Sequence, residues 1–451
     1  MKPMPCARLS PGAACVLGAI MLAGGTAHAG GFALNEMSAG AIGTAFAGVA
    51  ATAEDASTLF YNPAGLARMS GRQFVAVGSG IKPSVEFSNA GSTSAARTPL
   101  TGGSGGDAGG WAFVPALFYA ADINPALRWG IGLYSPFGLR TSYEEGWTGR
   151  YQALESNLKT YNINPALSYK FSDTLSFGAG VSAEYADVKL SRAIDFGSAC
   201  VGSIGVAPCA RAGVLPQAAD GRVTLDGTDW AFGFNLGVLY APTPATRIGL
   251  AYRSGINHGL SGGTAHYDKP AALPAALAAS RSFADTGVSA DLDLPDTLNL
   301  SAYTEISRRW ALMADINWTH WSRFNALRVR FDNGAPDNVL REEWQDTLRF
   351  GIGAHYRYND AWLLRAGVSY EQSPVKNASL RTPSVPDASR RIAAFGVRYQ
   401  ATPQSAWDFA YAHIFIGNAA VNRAEPPLGG TLVGAFDNNV NIVSLQYRYS
   451  F

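Results

Sequence analysis

The chain has 451 residues, of which 50 are Gly, 11% are aromatic and only 15% are charged, with a formal net charge of +1. It has no basic block or basic-aromatic stripe, which argues against nucleic acid as a partner. Past residue 29 no run approaches the roughly 18 apolar residues of a spanning helix, so an ordinary helical membrane protein is excluded.

Residues 1–29 read as a secretory signal peptide. Lys2 and Arg8 precede an apolar stretch from Ala13 to Ala23, and Ala27-His28-Ala29 forms a small-residue cleavage site. A lipoprotein reading of Cys15 is poor, because Gly12 stands where Leu is wanted. The mature chain then starts near Gly30, with 33 basic against 34 acidic residues. Residues 30–71 are rich in Ala, Gly and Ser, with short helix-like pieces such as 38–47 and the turn Asn62-Pro63-Ala64-Gly65.

From residue 72 the dominant signal is period-two alternation, the mark of strands whose two faces meet different surroundings. Fourteen segments carry it: about 72–88, 109–121, 127–143, 155–171, 174–195, 220–241, 245–268, 286–304, 310–331, 339–358, 361–373, 388–400, 405–422 and 431–451. In the last, Val443, Leu445, Tyr447, Tyr449 and Phe451 oppose Ser444, Gln446, Arg448 and Ser450. Alternation alone fits a soluble sandwich as well as a membrane barrel. Strand length, with Tyr and Trp near the short-turn ends, favours the barrel. Connections alternate between tight turns such as Asn359-Asp360 and long loops near 89–108, 144–154, 196–219, 269–285, 332–338, 374–387 and 423–430. The expected fold is therefore all-β, a 14-stranded antiparallel transmembrane barrel spanning 72–451. About forty small residues at 30–71 cannot form their own core, and the simplest place for them is inside the lumen, as a plug.

Cys200 and Cys209 lie in one Gly/Pro/Ala loop, and in an oxidising export route a local disulfide is the plain reading. A metal site would need more ligands, and no nucleotide or cofactor motif appears.

The mature chain resembles the FadL-type transporters of Gram-negative outer membranes, which take up long-chain fatty acids and aromatic hydrocarbons. The best-matching stretches are Gly30-Gly31-Phe32-Ala33-Leu34-Asn35-Glu36, Asp55 to Asn62-Pro63-Ala64, Ser135-Pro136-Phe137-Gly138-Leu139, Trp318 to Phe324, and Ser384-Val385-Pro386-Asp387. The resemblance implies a passive, monomeric carrier. It takes a hydrophobic ligand from outside, holds it near the plug, and releases it sideways into outer-membrane lipid, bypassing lipopolysaccharide. It implies a plug or gate at Asn62, Pro63 and Ala64, and a lateral opening at Ser135, Pro136, Phe137 and Gly138. Pro136 lacks an N–H for the ladder and Gly138 relaxes the backbone; a mere bulge is the bland alternative. Ligand contacts are expected at Phe32, Arg192 and Lys189, with Arg192 on the lumen face suited to a carboxylate or else paired with Glu184. Loops 196–219 and 269–285 form either an apolar groove at the mouth or a plain exposed pair. Trp344-Gln345-Asp346 stands where a fatty-acid carrier is expected to place a base, which keeps aromatic substrates open. Phe451 resembles the terminal signature read by the barrel-assembly machinery.

Rival readings are an outer-membrane lipid hydrolase, a general porin and a structural adhesin. The mature His258, His266, His320, His355 and His413 show no catalytic motif, so no catalytic residue is assigned. A plug argues against an open pore.

Overall fold

A sandwich buries its apolar side chains and exposes its charges; this chain does the reverse. Phe113 and Phe232 are 72% and 77% exposed, while Glu184, Arg365 and Asp408 are buried. The structure, a computed structural model, describes residues 31–451, so the signal-peptide reading of 1–29 lies outside the described residues. No helix among them is long and apolar enough to cross a membrane.

Fourteen antiparallel strands close into a barrel. They are β1 Gln73–Asn89, β2 Ala112–Asn124, β3 Leu127–Tyr134 with Gly138–Ser142, β4 Glu155–Lys170, β5 Leu175–Asp195, β6 Asp220–Thr243, and β7 Thr246–Arg253 with Ile256–Asp268. There follow β8 Thr286–Leu294 with Thr297–Glu305, β9 Trp310–Thr319 with Ala326–Phe331, and β10 Asn338–Arg341 with Thr347–Arg357. The last four are β11 Trp362–Glu371, β12 Arg390–Gln400, β13 Ser405–Ile416 with Ala419–Ala424, and β14 Thr431–Ser450. Closure is made by β1 on β14, paired without a slip from Gln73 opposite Ser450 to Asn89 opposite Gly434.

Turn chemistry sits where the strands reverse. Asn124 and Asn359 each accept two backbone N–H bonds through Oδ1, from Ala126 and Leu127 and from Ala361 and Trp362. At that end the outer face carries cross-strand aromatic pairs, Trp310 with Tyr356, Trp362 with Tyr399 and Trp407 with Tyr447, their ring centroids 4.6–4.7 Å apart. Such a belt suits the membrane interface. The expectation of unbroken strands over 245–268, 286–304, 310–331 and 339–358 is corrected. Each is interrupted, at 254–255, 295–296, 320–325 and 342–346.

The segment from Phe32 to Arg68 fills the lumen as a plug, and most of it is buried. Its short helices are α1 Ala39–Ile42, α2 Val49–Thr52 and α3 Thr58–Tyr61, followed by a 3-10 turn at Pro63–Arg68. Helix α1 packs on β12, β13 and β14, α2 on β7 and β8, and the 3-10 turn on β3 to β6. The plug thus runs round the inside of the wall. Lumen-facing glycines admit it: a Cβ at Gly249 would overlap the Ala50 carbonyl, and one at Gly367 the Thr44 carbonyl.

Gly249→Val and Gly367→Val are expected to leave the barrel assembled, as judged by heat-modifiable electrophoretic mobility. Both should displace the plug and turn a silent protein into one with measurable single-channel conductance. Unchanged conductance in both variants would mean that the wall does not hold the plug through these contacts.

Candidate functional site

The wall fails at one place on the β2 side of β3. Pairing of β2 with β3 ends at Leu117 opposite Leu133. The upper part of β3, Gly138–Ser142, pairs with β4, and on the β2 side its far end is tied by Ser142 N donating to Ala108 O at 2.9 Å. Between the two parts Ser135–Phe137 bulge, and Pro136 offers no N–H to a partner. The vacated edge is filled from inside by the plug. Leu34 N donates to Pro136 O at 2.8 Å, Gly138 N donates to Phe32 O at 3.0 Å, and Ala33 lies opposite Phe137. A cavity of about 70 Å³ lies behind it, bounded by Leu34, Phe60, Tyr61, Pro136, Phe137 and Arg253 among others.

The far end of the plug is fixed. Asn62 is fully buried. Its Nδ2 donates to the carbonyls of Ala50 and Val238 at 2.7 and 3.0 Å, and its Oδ1 accepts from Ala64 N at 3.0 Å. Ala64 O accepts from the hydroxyls of Ser168 and Ser176, and Gly178 leaves room for Pro63 and Ala64. Asn62-Pro63-Ala64 therefore docks the plug against β4, β5 and β6.

A second anchor is ionic. Glu54 bonds Arg365 at 2.7 Å and Arg398 at 3.0 Å, with His355 at 3.2 Å, and both arginines also bond Asp408. Burial alone would raise the Glu54 pKa, but Arg365 and Arg398 outweigh it and hold the carboxyl well below its ordinary range. Asp55 joins through Gln446, whose Oε1 accepts from Ser38 and Ala39.

The leading end is held more lightly. Gly31 N donates to Asp387 Oδ2 at 3.0 Å, and Tyr61 donates its hydroxyl to Asn35 O at 2.7 Å. Phe32 meets Trp321 at 4.9 Å, Phe324 and Trp344 at 5.6 Å and Phe137 at 6.2 Å between ring centroids. Burial pushes Glu36 up to about 7 and Asp387 up to about 6, the latter in spite of Arg390 beside it.

At the outer mouth a cavity of about 1140 Å³ is lined by Arg192, Tyr267, Leu277, Phe283, Arg341 and Arg423 among others. Arg192 faces it with no ion pair among the described residues; Glu184 lies eight residues back along the same strand, out of reach, and is bonded instead to Asn162 at 2.8 Å and His258 at 3.3 Å. Lys189 does not join Arg192. Three residues away along β5 it has the opposite parity, is partly exposed, and pairs with Glu155 on β4 at 3.3 Å. Loop 196–219 holds helices α4 Phe196–Ile204 and α5 Val206–Arg211, joined by the Cys200–Cys209 disulfide. Loop 269–285 contributes one helical turn, Ala275–Ala278.

Trp321, Phe324 and Trp344 were not among the expected site residues. The signal for the first two lay in spacing: Trp318, Trp321 and Phe324 recur every three residues, out of step with a strand, and mark the turn at 320–325 that swings two rings inward.

The family model described as outer membrane protein transport protein (OMPP1/FadL/TodX) matches residues 20–451. A putative outer membrane protein of Neisseria meningitidis serogroup B is 30% identical over 449 residues, 95% of this chain and 96% of its own. The long-chain fatty acid transport protein of Escherichia coli K12 is 28% identical over 423 residues, 90% and 92% of the two chains. Among solved structures, a Pseudomonas aeruginosa FadL homologue superposes with a TM-score of 0.85 at 25% identity, covering 94% of this chain and 100% of its own. The Pseudomonas putida toluene transporter TodX does so at 0.68 and 21% identity, covering 93% and 99%.

Glu36 and Asp387 take a proton more readily when docked than in water, where their ordinary values are 4.5 and 3.8. The docked state thus has their full contribution below about pH 4 and loses it as pH rises through about 6 and 7. Protease cleavage within residues 31–36 of the purified protein is expected to be about fivefold faster at pH 8 than at pH 5.5. Glu36→Gln should flatten much of that dependence; a steeper profile in the variant would contradict it.

Proposed function

The chain belongs to the outer membrane protein transport family (OMPP1/FadL/TodX), outer-membrane β-barrel transporters rather than enzymes, and on that premise we propose that it passively carries hydrophobic small molecules inward. The named relatives bracket the cargo between long-chain fatty acids and aromatic hydrocarbons. In this reading a ligand is first taken into the mouth cavity, with Arg192 placed for an anionic head. It then moves down toward the plug, and residues 32–34 leave the edge of β3 to let it out sideways between β2 and β3.

The observation that carries the reading is that edge. A ladder left open in the wall is occupied by just two backbone hydrogen bonds from a plug that is otherwise anchored elsewhere. Each such bond contributes about 0.5–1.5 kcal/mol net, so exchanging this cover for a ligand is a modest step. The destination suits the cargo, since a chain gains roughly 0.8 kcal/mol for each CH₂ taken out of water and so prefers bilayer to periplasm. The carrier bypasses the polar lipopolysaccharide surface. It acts as a monomer, placed in the membrane by the barrel-assembly machinery through the strand that ends at Phe451.

Pro136→Val with Gly138→Val, which allows β3 to run straight, is expected to lower uptake of labelled oleate by cells at least about tenfold, with binding to the purified protein changed less than about threefold. Uptake that persists would rule out the lateral route. Asn62→Leu should leave a heat-modifiable barrel and impair uptake by loosening the docked end of the plug. Full uptake in that variant would count against any role of the plug in passage.

A further inference from the structure

The two halves of the barrel's short-turn rim carry their charges differently. Below β2 to β5 the lumen-side charges are matched: Arg128 bonds Asp122 and the Gly71 carbonyl, and Lys170 pairs with Asp173 at 2.7 Å. Below β7 to β10 they are not. Arg247 on β7, Arg309 in the turn before β9 and Arg357 at the end of β10 have no ion pair among the described residues, and neither has Arg68 at the end of the plug's 3-10 turn. Arg357 N donates to Arg309 O at 2.7 Å, which carries the β9 and β10 register one step past Trp310 opposite Tyr356 and sets the two arginines across from each other. Like charges so placed repel. The Arg247 guanidinium lies 3.9 Å over the Tyr303 ring centroid, and its Nε is buried without a hydrogen-bond partner. Arg68 is close enough to Arg247 for their charges to interact. Two carboxylates lie at this level, Glu305, which accepts from the Tyr303 hydroxyl at 3.3 Å, and Asp360; neither pairs with these arginines.

We propose that this arginine crescent, at the floor of the lumen, is a docking surface for an extended acidic segment of a soluble periplasmic protein. The short-turn end of an outer-membrane barrel faces the periplasm. Parity sets the crescent apart from the bilayer. At the same level the lipid face carries Ile248, Trp310 and Tyr356, so Arg247, Arg309 and Arg357 fall on the lumen side, away from phospholipid headgroups. Extent argues for a peptide rather than a single anion. Neighbouring strands are about 4.8 Å apart, so β7 to β10 span roughly 15 Å of the rim, and an extended chain rising about 3.3 Å per residue covers that with about five residues. Each guanidinium offers a planar fork of N–H donors that fits a carboxylate. Because Arg68 belongs to the plug and the other three to the wall, a bound segment spans both. The surface takes no part in the ligand route proposed above and stands whether or not that reading holds.

The test uses the purified mature protein in nanodiscs of zwitterionic lipid, with a fluorescein-labelled hexaglutamate peptide followed by anisotropy. One peptide is expected to bind per barrel at about 50 mM salt, and to bind at least about tenfold more weakly at about 300 mM. Arg247→Gln with Arg309→Gln and Arg357→Gln should lower the affinity at least about tenfold, and Arg68→Gln alone about threefold. Arg328→Gln with Arg330→Gln, which removes two paired arginines of the opposite rim, should change it less than about twofold. Heat-modifiable mobility checks assembly, and Arg309→Gln alone, expected to cost about threefold, serves if the triple variant does not assemble. The proposal is overturned if the peptide does not bind, if the triple variant binds it as tightly, if the opposite-rim variant loses it equally, or if inorganic phosphate at equal charge displaces it, which marks a simple ion site. Phosphatidylglycerol retained from mixed nanodiscs in native mass spectra, and lost in the triple variant, would assign the arginines to lipid and overturn it too.

Discussion

Inside the hydrocarbon layer a peptide N–H has no water to bond, so a chain that crosses it must satisfy its backbone internally. In this protein the closed ladder does so, and its seam is the unslipped pairing of β1 with β14. Every feature of interest is a local exception to that ladder. Where β3 lets go of β2 the open edge cannot be left to lipid, and the plug supplies Phe32–Leu34 to it. Where β7 to β10 are interrupted, the freed segments fold inward and are bonded among themselves, as His320 N is to Asp296 O and Glu342 N to Asn325 O. The same rule that makes the barrel rigid therefore fixes where it can be interrupted.

The lumen is organised by contrast between its two ends. On one side of the plug lie a fully hydrogen-bonded asparagine and a buried ion cluster. Breaking such a cluster by removing one partner leaves an uncompensated charge, which costs several kcal/mol. On the other side lie the two backbone bonds to the β3 edge, single bonds from Gly31 to Asp387 and from Tyr61 to Asn35, and one aromatic ring. This asymmetry concentrates the polar anchoring in one part of a single segment of about forty residues, with Asn62 and Glu54 in the heavily bonded part and Phe32 at the other end.

Much of the architecture was legible in the sequence because it is local. The alternation of Val443 to Phe451, the asparagines at the tight turns and the shortness of 30–71, too few residues for a core of their own, can each be read within a short stretch. Pro136 and Gly138 marked an irregularity in β3 that by itself reads equally as a bulge, and the resemblance was needed to expect an opening there. What could not be read depends on partners far apart in the chain. That Glu184 is held by Asn162 and His258, and that Lys189 pairs with Glu155, depends on neighbouring strands that sequence alone does not bring together. The aromatic cluster around Phe32 needs three strands brought to one level, although the three-residue spacing of Trp318, Trp321 and Phe324 carried a local trace of it.

The bonds of Gln446 couple two things that seem separate. This side chain sits on β14, the strand that closes the barrel, yet it accepts from Ser38 and Ala39 and donates to Asp55 of the plug. Helix α1 lies on β12, β13 and β14 while α2 and the 3-10 turn lie on β3 to β8, so the plug bears on both flanks of the wall. The strand that seals the cylinder thus also holds what fills it, through one side chain. A chain without β14 would lose the Gln446 anchor of its plug together with the closing strand of its wall.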